Sequence, residues 1–132
     1  MKILTEYRKI QPYPAKDGSL IRELMHPTVH GNSKQSLAEA TVPPGASTVM
    51  HRHLESEEIY YVTQGSAVMS LGDERFHIWV GDTVCIPPGT PHRLENTGKM
   101  AFRVLCCCTP PYSHDDTRLL NGEETEIALQ TP

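Results

Sequence analysis

Nothing in this chain of 132 residues stays apolar for long. The longest such run, Phe102 to Cys108, is broken by Arg103 and falls far short of the ~20 residues that a membrane-spanning helix needs. Basic runs are missing as well. Twelve Lys and Arg against sixteen Asp and Glu leave a formal charge of −4, which makes nucleic acid and anionic membrane poor partners. The N-terminal MKILTEYRKIQ has neither an apolar stretch nor a small-residue cleavage site, so no secretory leader is expected and a cytoplasmic location is the default. Paired cysteines are lacking too. Cys85 stands alone and Cys106, Cys107 and Cys108 are consecutive, with no CxxC. Neighbours on a strand point to opposite faces and do not readily bond to each other, which excludes a zinc-ribbon or thioredoxin-like signature. The four read as small apolar residues in a reducing compartment. The sharper alternative is one thiol facing a ligand pocket.

Helical periodicity of useful length is also absent between residues 20 and 108, as are internal repeats. What the chain does have is punctuation: eleven prolines and nine glycines. They divide it into strand-length runs at Leu20–Leu24, Ser36–Val42, Thr48–His53, Glu58–Thr63, Ala67–Leu71, Phe76–Val80, Thr83–Ile86, His92–Asn96 and Ala101–Cys108. Turn-like separators such as PPGA, GDE, PPGTP and NTGK lie between them. Regular short strands of this kind predict an all-β sandwich or barrel. The length suits one domain, large enough for a core without disulfides or a structural metal. We divide it into an N-terminal arm (1–19), a barrel (20–110) and a C-terminal tail (111–132). Pro12 and Pro14 make a regular strand improbable in the arm. In the tail, SHDDTRLL offers one helical turn capped by Ser113, and NGEETEIALQTP is either loose or laid on a neighbour.

The stretch MHRHLESEEIYYV holds the chemistry. On a strand His51 and His53 share a face, close enough for two imidazoles to meet at one metal, while Arg52 faces away. Glu58 opens the next strand in phase with Tyr60 and Val62, and His92 opens another after IPPGTP. Three neutral imidazoles and a carboxylate suit one divalent transition metal (Mn, Fe, Co, Ni, Cu or Zn) better than calcium or magnesium. Glu57 is a second candidate carboxylate; strand phase favours Glu58. His26, His30, His77 and His114 read as surface or packing residues.

An HxH pair alone is weak evidence, but the wider spacing resembles the two motifs of the cupin superfamily. G(x)5HxH(x)4E(x)6G is matched by Gly45, His51, His53, Glu58 and Gly65. G(x)5PxG(x)2H(x)3N is matched by Gly81, Pro87, Gly89, His92 and Asn96. The resemblance covers residues 36–108 and is similar to that of small single-domain bacterial cupins. It implies a double-stranded β-helix, or jelly-roll barrel, with irregular terminal arms and a metal held by His51, His53, Glu58 and His92. A tyrosine at the position of Tyr60 serves some metal-dependent lyases of the superfamily, so Tyr60 is the catalytic candidate; a core tyrosine is the alternative. From strand phase, Met69, Phe76 and Leu94 are expected to line the substrate pocket, with Tyr112 folding over its mouth. Arg22 and Glu39 are further polar candidates, and either Cys106 with Cys108 or Cys107 faces inward. The expected function is an enzyme acting on a small organic substrate, dioxygenase-like at its metal. The alternatives are an isomerase or lyase using Tyr60, or a small-ligand binding module without turnover. Single cupin domains commonly pair, so a homodimer is expected.

Overall fold

A computed structural model describes residues 1–15 and 17–120, and the backbone of 126–128. Two six-stranded antiparallel sheets face each other. The first runs β1 (Tyr13–Pro14), β2 (Leu20–Met25), β3 (Ser36–Val42), β10 (Phe102–Thr109), β5 (Glu57–Gln64) and β8 (Thr83–Ile86). The second runs β12 (Glu126–Ala128), β11 (Thr117–Leu120), β4 (His51–His53), β9 (His92–Glu95), β6 (Ser66–Leu71) and β7 (Glu74–Trp79). The expected strands are all present, with bounds adjusted by a few residues. The one α-helix among the described residues, α1 (Pro27–His30), is a single turn capped by His26, whose Nδ1 accepts from the Thr28 N–H.

Alternation builds the interior. On β5, Glu58, Tyr60 and Val62 are buried while Glu57, Ile59 and Tyr61 are exposed. On β10, Phe102, Val104, Cys106 and Cys108 point in. Tyr60, Val62, Phe102, Val104 and Cys106 meet Ala40, Val42, Ala67, Met69, Ile78, Ile86 and Leu94 in one apolar core. Gly65, between β5 and β6, has φ +74°, and an added Cβ would stand 3.0 Å from the Ala101 carbonyl oxygen. The position therefore needs glycine for both its backbone angle and its space.

Both arms depart from the expectation. Tyr13–Pro14 forms a two-residue edge strand on β2, a place where proline is tolerated because no further neighbour needs its missing N–H. The SHDDTRLL segment makes turns, with the Asp116 N–H donating to Ser113 O and the Thr117 N–H to His114 O, and then becomes β11, paired with β4. The loose-or-laid-over segment falls on residues 121–132, which lie outside the described residues apart from β12.

Candidate metal centre

Local structure delivers each candidate ligand. His51 and His53 are buried on the inner face of β4, and His51 is the register partner of His92 on β9. The loop before β9 is a turn closed by the Thr90 N–H donating to Pro87 O at 3.2 Å. Gly89 takes φ +80° in it, the third-position conformation that a type II turn requires. The Gly89 N–H also donates to His53 O at 2.6 Å, tying the two histidine-bearing segments together. Glu58 comes from the opposite sheet. Its Oε1 lies 3.2 Å from His53 Nε2 and 3.3 Å from His92 Nε2, and one ligand atom from each histidine lies within 4.8 Å of the others. Glu57 is exposed on the outer face of β5.

The outer nitrogens decide what the inner ones can do. His51 Nδ1 stands 2.9 Å from Val49 O, and His92 Nδ1 stands 2.9 Å from Thr90 O. A carbonyl only accepts, so both Nδ1 atoms carry the proton. His53 Nδ1 meets Thr117 Oγ1 at 2.9 Å. That hydroxyl spends its own hydrogen on Ser113 O at 2.8 Å, so it too accepts. With Nδ1 engaged in this way, Nε2 is the nitrogen that each ring turns to one point. The Nε2 atoms of His53 and His92 and the Oε1 of Glu58 are buried without hydrogen-bond partners. Two lone pairs and a carboxylate oxygen at such distances repel unless positive charge sits among them. Burial would raise the Glu58 carboxyl, but the close approach of His53 and His92 outweighs it and holds Glu58 well below the usual carboxylate range. Burial, with His92 and His53 alongside, pushes His51 down to about 4, which keeps its imidazole neutral. This donor set fits a divalent transition metal.

A cavity of about 100 Å³ opens beside these groups. Tyr60, Leu94 and Tyr112 line it. The Tyr60 ring centroid is 6.0 Å from that of His92, and Tyr112 meets His53 edge-on at 5.8 Å. Burial and then the Glu58 carboxylate raise the Tyr60 phenol well above its ordinary value, so without a cation beside it Tyr60 is a neutral donor. Cys106 and Cys108 also face the cavity, and the Cys108 thiol donates to Glu58 Oε2 at 3.4 Å. The expectation fails at Met69 and Phe76. They are register partners on β6 and β7, and they fill the core next to Leu94 rather than the cavity wall. Arg22 and Glu39 point outward from β2 and β3. Their 3.4 Å ion pair, with the Tyr7 hydroxyl donating to Glu39 and the Tyr7 ring under the guanidinium, pins the N-terminal arm. Thr117 and the wall formed by Tyr13, Asp17 and Glu23 were not anticipated. Tyr13, Asp17 and Thr117 lie in the two arms, where no strand pattern announces which side faces in, and Glu23 lies on β2.

Residues 38–108 match the Cupin domain family. The chain is 55% identical over 121 residues to the uncharacterized protein MJ1618 of Methanocaldococcus jannaschii, which covers 91% of this chain and 97% of that one. The polyketide cyclase RemF from Streptomyces resistomycificus superposes with a TM-score of 0.71 at 27% identity, over 83% of this chain and 80% of its own. A predicted oxalate decarboxylase from Thermotoga maritima does so with a TM-score of 0.70 at 25% identity, over 83% and 99%.

Proposed function

Since the chain belongs to the cupin family, we propose that it is a metal-dependent enzyme acting on a small organic substrate inside the barrel, dioxygenase-like at a centre of three histidines and Glu58. The observation that carries this reading is the fixed outward proton on every histidine. With Nδ1 engaged on Val49, Thr117 and Thr90, the Nε2 atoms are left to face one another and Glu58, an arrangement that suits a shared cation. Orienting partners of this kind are what hold ligating histidines in place. A divalent metal held there by His51, His53, His92 and Glu58 would supply Lewis-acid or redox chemistry. The chain's own residues do the rest. Cys108 holds Glu58 Oε2 so that Oε1 faces the histidines. Ala38, Ala40, Val42 and Leu94 give the cavity an apolar wall that keeps water from the bound substrate. Tyr60 offers its hydroxyl as a donor.

That position of Tyr60 favours a second reading, a metal-dependent isomerase or lyase in which the phenol passes a proton to or from substrate. The similarity to a polyketide cyclase and to a predicted oxalate decarboxylase supports keeping both. Tyr60→Phe separates catalysis from binding. An enzyme of either type loses turnover by about 10²-fold or more while keeping its metal, whereas a module that only binds shows a change in ligand affinity alone. We also propose the homodimer, supported by the exposed Ile59 and Tyr61 on the outer face of β5.

A further inference from the structure

The metal cavity adjoins an outer groove formed by α1 and the loop from Pro111 to Asp115. Four residues line both spaces and so form the neck between them: Tyr13, Glu23, Tyr112 and His114. Glu23 reaches the neck because β2 alternates, with Ile21 and Glu23 turned toward the cavity. Its partner on β3 is Ala38, another cavity residue, and the register shifts between Glu23 and Met25. Bulges of this kind commonly re-aim a side chain beside a site.

The other carboxylates near the barrel have assigned neighbours. Asp17 accepts from the N–H and hydroxyl of Ser19, Glu39 has Tyr7 and Arg22, and Glu58 takes the Cys108 thiol on Oε2 and turns Oε1 to the histidines of the metal centre. Among the described residues the buried Glu23 Oε1 has no hydrogen-bond partner; burial raises its carboxyl and the nearby His26 acts against that. A buried acceptor without a partner calls for an explanation, and a buried charge calls for a counter-charge. No lysine or arginine among the described residues lines either the cavity or the groove. The basic side chains near Glu23 are the imidazoles of His114 in the neck and His26 in the groove, so a carboxylate ligand would meet the Glu23 carboxyl with no permanent cation beside it. An ammonium would meet a carboxylate flanked by two phenol rings, a favourable setting for a cation. The cavity beyond is compact and mostly apolar, suited to the uncharged end of such a molecule.

We propose that Glu23 is the docking carboxylate of this neck and that the ligand is a small organic molecule carrying a protonated amine. The metal-enzyme reading above supplies the ligand's destination, and the proposal rests on it to that extent.

The test is calorimetric titration of zinc-loaded protein, at about pH 7.5, with three probes of one shape: benzylammonium, benzyl alcohol and benzoate. The metal content of the same samples is measured in parallel. Benzylammonium is expected to bind about tenfold or more tighter than the other two, and Glu23→Gln is expected to abolish that preference. The series on unaltered protein is a test that needs no variant. Benzoate binding tightest, no probe binding at millimolar concentration, or a preference untouched by Glu23→Gln would each overturn the proposal. One zinc per chain without an ammonium preference defeats the neck and leaves the metal centre standing. An ammonium preference without zinc does the reverse.

Discussion

Thr117→Val is the most informative single substitution outside the histidines. Thr117 is fully buried. Its Oγ1 accepts from His53 Nδ1 at 2.9 Å and donates to Ser113 O at 2.8 Å. Valine keeps the shape and strands the His53 Nδ1–H, a loss of about 1–3 kcal/mol for a buried group left unpaired, while Ser113 O keeps the Asp116 N–H. The imidazole can relieve part of this by moving its proton to Nε2, but that nitrogen then points a hydrogen at the metal position. Affinity for metal should fall by about 10- to 100-fold, the usual effect of removing a partner that orients a ligating histidine. Thr117→Ser retains the hydroxyl and should stay near wild type. Competition against a chromophoric chelator with zinc or cobalt measures the dissociation constant, and circular dichroism confirms the fold. A well-folded Thr117→Val whose metal affinity stays within about twofold of wild type would refute the assignment of the His53 proton.

Asn96 is buried, donates to Val42 O and Met100 O at 2.9 Å each, and accepts from the Gly98 N–H at 3.0 Å. Asn96→Ala should cost about 2–4 kcal/mol of stability, read as a lower thermal midpoint, without weakening metal binding in the folded protein. The metal-free protein should also become less stable as pH falls from 6.5 toward 4. His51 in the fold takes its proton only at about 4, against 6.5 ordinarily, so the unfolded chain binds more protons throughout that window. The loss reaches up to about 3 kcal/mol from this group, and Glu58, held low, adds in the same direction at more acid pH. Urea denaturation at pH 7 and pH 5 measures it; a stability that rises toward pH 5 would reverse the sign. Light scattering should give a dimer mass, with Tyr61→Glu shifting it toward monomer; a wild-type monomer would remove the proposed homodimer.

Much of the barrel was legible because its signals are local. Alternation along Glu58, Tyr60 and Val62, and the spacing of His51, His53 and His92, are properties of short segments, and the turns between them are written in glycine and proline. Other features were set by distant partners. β11 exists because Thr117–Leu119 find β4, which no feature of TRLL announces. Tyr13 enters the cavity wall from a two-residue edge strand flanked by prolines. Met69 shows a different limit. Its inward phase was read correctly, but alternation states only which face a side chain takes, not how far along the barrel it sits, and Met69 lies in the core beside Leu94. Arg22 and Glu39 were misplaced because their true partner, Tyr7, comes from an arm with no readable pattern.

The central claim is that three Nε2 atoms and Glu58 Oε1 are built around a divalent cation. Elemental analysis of untagged protein never exposed to chelator tests it most directly, with His51→Ala and His92→Ala alongside. The wild type is expected to carry about one transition-metal ion per chain, and both variants to lose it. Wild-type protein without metal that takes up none on soaking, or variants that retain full occupancy, would contradict it.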